Sequence, residues 1–372
     1  MSTLRRIVVA FVAVLAAATL SRAADGPPAG ERHYLYVASP GIRNYLEYGG
    51  HGLLVYDIDH GHKFLRRIPT GGATSKGEVL NVKGICANAA TARVYISAIR
   101  TMECIDLKTE KQLWEKAYTG GTDRMSITPD GRTIYLPSFE SDFWNVVDAN
   151  TGEVITKFTT KSGSHNTVVS ADGRLAFLGG LKSPTMFVAD AREQKMIGKI
   201  EGFSGFIRPF TANGKGTLVF VCVNDLLGFE VGDVATGKVI HTVHVEGFKK
   251  GPVKRHGCPS HGIGLTPDER ELWLCDAANK RLHLFDATVM PPKPIGQIEL
   301  KDEPGWVTFS IDGKYAYPST GEVIDTKTRR IVATLKDEAG REVQSEKLME
   351  IDWSGDQVVR TGDQFGIGRV MR

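Results

Sequence analysis

The stretch SITPDGRTIYL (126–136) decides the architecture. Ser126 and Ile127 end an apolar run, Pro129-Asp130-Gly131 turn it, and Thr133 to Leu136 return rich in β-branched and aromatic side chains. Asp and Gly accept the dihedrals of a tight turn, so the pattern predicts a β-hairpin. It recurs as VSADGRLAFL (169–178), LTPDERELWL (265–274) and FSIDGKYAYP (309–318). CANAATARVYI (86–96) and TANGKGTLVF (211–220) are weaker copies in the same frame.

A second signal follows each hairpin: an apolar strand closing on Asp, then a turn and another strand. It falls at Asp57, Asp106, Asp148, Asp190, Asp233, Asp286 and Asp325, most cleanly in DANTGEV (148–154) and DVATGKV (233–239). The spacing is 42 or 43 residues in the middle and 53 before Asp286, where an insertion sits. Four-stranded units at this period, with no helical pattern between them, predict an all-β seven-bladed propeller. A pair of β-sandwiches is the structural alternative. HYLYVAS (33–39) aligns with a second strand, and KLMEIDWSGDQVVRTG (347–362) begins like a first strand. C-terminal residues are therefore expected to complete the first blade and bury its edge. The strand after Ser354 has no place in that scheme.

Together the PDG hairpin and the D-x-x-T-G turn resemble the YVTN/YncE-like family of exported seven-bladed propellers, over most of residues 33–340. The resemblance implies the fold and leaves the function open, since that class holds binding scaffolds, surface proteins and enzymes. YVTN itself is replaced here by YVAS, YISA, YLPS and FLGG.

Arg5-Arg6, the apolar run Ile7–Leu20 and Ser21-Arg22-Ala23 form the three parts of a secretory signal peptide. The expected organisation is a signal peptide over 1–23, a linker over 24–32 and one propeller domain over 33–372, exported to the periplasm or outside the cell. No later stretch is long enough to span a membrane once the signal is cleaved. Lys and Arg number 46 against 43 Asp and Glu, a balance that gives no field for nucleic acid. The five cysteines (86, 104, 222, 258 and 275) are odd in number, so at least one thiol is free or pairs outside the chain. Most lie in strand-like runs and read as small buried hydrophobes, Cys258 excepted.

Propeller ligands usually sit at the channel mouth, where the chain leads into each innermost strand. Counting back from each hairpin Asp gives Lys83-Gly84, Asp123-Arg124, His165-Asn166, Ile207-Arg208, His261-Gly262 and Gly305-Trp306, with Glu346-Lys347 near the last such point. This concentration of polar side chains suits a convergent pocket. Lys83, Arg124, Asn166, Arg208, Trp306 and Glu346 are the candidate ligand contacts, the guanidinium forks suiting carboxylate or phosphate. Asp123 and Glu346 could equally pair with these cations and leave the ring neutral. His165, His261 and Asp123 are candidate catalytic groups, the two imidazoles as an acid/base pair. With His256 of HGCPSHG (256–262), His165 and His261 are also candidate ligands of a divalent transition metal. The loops 39–52 and 137–144, rich in aromatic and charged residues, face the same mouth. No GxSxG elbow, HExxH helix, Walker loop or GxGxxG turn is present. The expected function is binding of a small molecule or partner protein at the mouth. A metal-assisted lyase or hydrolase is the alternative, and a redox role with quinone or haem stands third, without an attachment motif.

Overall fold

A computed structural model describes residues 30–371. The expected signal peptide and most of the linker lie outside the described residues. Seven antiparallel sheets follow one another along the chain and form a seven-bladed β-propeller. Blade 1 takes the first strand of its four-stranded unit, Leu348–Ser354, from the C-terminal region, paired antiparallel with Glu31–Ser39. The strands Gly52–Asp57 and Lys63–Ile68 complete it. The ring therefore closes as the truncated first unit implies. The surplus strand Gln357–Thr361 adds to the inner edge of Leu348–Ser354, making this sheet five-stranded.

The seven Asp turns share one local cause. In all seven, the carboxylate accepts from a backbone N–H two or three residues on, as Asp148 Oδ1 does from Asn150 (2.8 Å) and Thr151 (2.9 Å). In blade 1, Asp57 takes the N–H of His60 at 3.1 Å. Such side-chain bonds mimic a backbone turn and favour this sharp reversal. In the hairpins a Ser or Thr hydroxyl caps the Asp: Ser170 to Asp172 at 2.6 Å and Thr266 to Asp268 at 2.7 Å.

Burial follows position in the blade. The inner strand Val82–Asn88 is wholly buried, whereas in the outer strand Val154–Thr159 only Phe158 is. Inner strands have a neighbouring blade against each face, so both sets of side chains leave water; Trp273 and Phe309, for example, meet edge to face across blades 6 and 7 at 5.5 Å. All five cysteines are buried and unbonded to one another.

Beyond Thr361 the chain runs along the inner strands of four other blades. Gln364 accepts from the Ile85 N–H at 2.7 Å and from the Trp306 indole. Gly366 O accepts from Leu265 (2.8 Å) and from the Thr211 hydroxyl (2.6 Å), and Gly368 donates to Ala212. Segment 362–369 thus fills the channel below its mouth.

Candidate functional site

Local backbone irregularity aims the site residues. In blades 2, 4 and 5 the pairing of the first two strands skips residues, between Val82 and Gly84, Ser164 and Asn166, and Ile207 and Phe210. The residues left out of register are Lys83, His165 and Arg208 with Pro209. Bulges of this kind redirect a side chain next to a site. In blades 3, 6 and 7 the inner strands are short (Ser126–Ile127, Ile263–Leu265, Val307–Phe309), so Asp123-Arg124, His261 and Trp306 precede regular pairing.

Lys83, Arg124, His165, Arg208, His261, Glu346 and Lys347 line one cavity of about 660 Å³ at the channel mouth. Loop residues 41–45 and 139–140 supply wall, as their composition suggests, and so does His256 of the insertion. Beneath lies Trp306, with Arg124 5.2 Å and Lys347 5.5 Å from its ring centre. Its indole donates down to Gln364, so the channel-filling tail supports the cavity floor. A second cavity of about 550 Å³ lies along the tail toward the other end and shares no lining residue with the first.

Two buried carboxylates organise the cations. Asp123, fully buried, meets His165 Nδ1 at 2.6 Å, Arg124 Nη1 at 3.2 Å and Lys83 Nζ at 3.6 Å. Arginine can only donate, so the 3.0 Å contact from Arg124 Nη1 makes His165 Nε2 an acceptor and puts the ring proton on Nδ1, toward Asp123. Burial lowers the His165 pKa to about 4 against the raising pull of Asp123. The Asp123 carboxyl is held far below its usual range: burial alone would raise it, but His165, Lys83 and Arg124 outweigh that. Glu346 Oε2 takes Arg124 Nη2 at 2.8 Å and Lys347 Nζ at 2.5 Å. Its Oε1 faces His256 Nδ1 at 3.1 Å and His261 Nδ1 at 3.9 Å. Burial brings Lys347 down to about 7, opposed by Glu346. Lys83 is lowered for the same first reason, opposed by Asp123.

The structure therefore pairs Asp123 and Glu346 with the cations and also gathers four of the candidate contacts, Lys83, Arg124, Arg208 and Glu346, around one space, with Trp306 outside its lining. It does not give His165 and His261 a shared partner. His165 is engaged by Asp123 and Arg124, while His261 Nδ1 points to the Gly305 carbonyl at 2.9 Å. His256, the third candidate ligand, is buried and stacks on His261 with ring centres 4.9 Å apart. Asn166 does not line the cavity; it is fully buried, and neither amide atom has a hydrogen-bond partner. Arg208 lies at the wall, holding Asn224 through Nε and the Gly257 carbonyl through Nη2.

Arg255 and Phe139 escaped the reading of the sequence. Arg255 pins the insertion across the mouth, bonding Asp302 (2.6 Å), Tyr48 Oη (2.8 Å) and Gln344. Phe139 lies 4.8 Å under the Lys83 ammonium. The length of the insertion before Asp286 was the available signal for the first; nothing periodic marks the second.

No family model and no curated protein matches the chain. Among solved structures, it is similar to the hydrazine synthase of Kuenenia stuttgartiensis at 16% identity and a TM-score of 0.47, over 69% of this chain and 98% of that one.

Proposed function

We propose that this propeller binds a small anionic molecule, carrying a carboxylate or phosphate, in the cavity at its channel mouth. One observation carries the reading: among the described residues Arg43, Lys83, Arg124, Arg208, Arg255 and Lys347 line the space with Glu140 and Glu346, and after Asp123, Glu346 and Asp302 have paired with four of these cations, Arg43 and Arg208 make no ion pair. The size suits a small organic ligand, whose pockets run to roughly 300–1,000 Å³. Arg208, less buried than Arg124, offers guanidinium N–H groups without dismantling the Asp123 and Glu346 clusters. A binding scaffold also agrees with the resemblance to the exported YVTN/YncE-like propellers, and makes no use of nucleic acid.

Calorimetric titration with phosphate and a series of mono- and dicarboxylates tests this. Saturable binding that weakens about tenfold or more in Arg208→Ala, with unchanged thermal unfolding, is expected from loss of one charge-assisted contact. Binding of neutral sugars or peptides instead, indifferent to Arg208, would sink it.

A lyase or hydrolase is the second reading, favoured by the Asp123–His165 pair. Its buried, neutral imidazole has an Nε2 lone pair that a substrate proton reaches once Arg124 turns to the substrate's anion. Turnover lost in His165→Asn with ligand affinity retained would mark this chemistry; equal turnover in both proteins would exclude it.

A further inference from the structure

We propose that His256, His261 and Glu346 form a site for a divalent transition metal, zinc by its donor chemistry, opening into the cationic cavity. The proposal is independent of the anion-binding reading. One donor atom from each residue lies within 4.8 Å of the other two, and all three side chains are buried. His165, the other imidazole expected as a ligand, is occupied by Asp123 and Arg124 and takes no part.

The hydrogen bonds around the triad prepare it for a cation. A carbonyl only accepts, so the 2.9 Å contact with Gly305 O puts the His261 proton on Nδ1, the nitrogen 3.9 Å from Glu346 Oε1, and leaves on Nε2 the lone pair that would take the metal once the ring turns. His256 Nε2 turns to the Glu303 carbonyl at 3.4 Å, while Nδ1 faces Glu346 Oε1 at 3.1 Å. Without a metal, Nδ1–H donates to Glu346; a cation bridging Nδ1 and Oε1 would take that position, the ring proton moving to Nε2 and the Glu303 carbonyl. Imidazole ligands of metals commonly direct their second nitrogen to a backbone carbonyl in this way, which fixes tautomer and ring plane.

Packing makes room for the arrangement. A Cβ on Gly305 would stand 2.0 Å from the His256 ring, so only glycine admits that imidazole. Glu346 divides its oxygens, Oε2 to Arg124 and Lys347 and Oε1 to the histidines. Nearby Cys258 is not a fourth ligand, since its Sγ lies 3.2 Å from the Ser260 carbonyl. Two imidazoles, one carboxylate and a position open to the cavity match the three-protein-ligand pattern of exchange-competent zinc.

The test uses full-length protein stripped with chelator, titrated with Zn²⁺ against a chromophoric competitor, and separately loaded with Co²⁺ for visible spectroscopy. One Zn²⁺ per chain and ligand-field bands of a four- or five-coordinate Co²⁺ are expected. His256→Ala and His261→Ala should each weaken Zn²⁺ by more than the roughly 10–100-fold that loss of an outer-shell partner costs, whereas Lys195→Ala, on an exposed outer strand away from the cavity, keeps affinity and stoichiometry. Folded wild-type protein that takes up no Zn²⁺ overturns the site, whether or not the variants fold. So does a His256→Ala/His261→Ala double variant with the wild-type Co²⁺ spectrum. Stripped protein that binds phosphate or dicarboxylate but no Zn²⁺ removes the metal site alone; Zn²⁺ uptake with no anion binding removes the anion reading alone.

Discussion

Arg124 of blade 3 and Glu346 before the closing strand of blade 1 meet at 2.8 Å, although 222 positions separate them in the chain. The contact ties the ring-closing strand to the cation cluster across the mouth. Removing one partner of a buried pair leaves an uncompensated charge, at a cost of about 3–5 kcal/mol. Glu346→Gln and Arg124→Met should each lose stability on that scale in urea unfolding. The double variant should lose less than the sum, with a coupling of at least about 1 kcal/mol. Strict additivity would mean that the pair contributes nothing as a pair.

Arg255 should act as a clasp. It joins the insertion to Asp302 and Gln344 on one side and to Tyr48 on the other. In Arg255→Ala, hydrogen exchange and proteolysis should accelerate within residues 245–262 while the blades keep their protection. Uniform acceleration across all blades would contradict a local role.

Gln364 should matter more than an average tail residue. Its Oε1 is the acceptor for the buried Ile85 N–H, at 2.7 Å. Gln364→Ala orphans that donor, for a loss of about 1–3 kcal/mol in thermal or urea unfolding. Truncation after Thr361 should cost more and expose Trp306, read as a red shift and easier quenching of its fluorescence. A truncated protein as stable as the full chain would show that segment 362–369 does not hold the channel together.

His62 should make stability pH-dependent. Burial brings its pKa from 6.5 down to about 4, helped by Lys314, while its ring bonds Tyr317 Oη at 3.0 Å. Between these values the unfolded chain binds the proton and the folded one does not, so stability rises with pH across the window. Acidification from pH 6.5 to 4 should therefore cost up to about 3 kcal/mol at this group. His62 sits at φ 60°, which Asn tolerates, so His62→Asn is the control. Its unfolding free energy should change less over the same interval; parallel pH profiles would exclude His62 as the source.

The seven blades were legible because their causes are local. Asp148 holds N–H groups two and three residues away, and Asp172 is capped by Ser170, so each turn is written in a few consecutive letters. Counting from those turns also located Lys83, Asp123-Arg124, His165, Arg208, His261 and Glu346, and the ring closure followed from a first unit lacking its inner strand. Partnership was not legible, because it joins residues of different blades: whether His261 meets His165 or His256 depends on how the long insertion folds back, and no period governs an insertion. The tail after Thr361 was silent for the same reason, since its hydrogen bonds go to Ile85, Thr211 and Leu265 on other blades. Composition shows a chain near neutrality, at a net +3. Only the closed ring sorts those charges by place, drawing Lys83, Arg124, Arg208 and Lys347 to one mouth with Asp123 and Glu346, because a propeller turns the start of every inner strand toward a single axis.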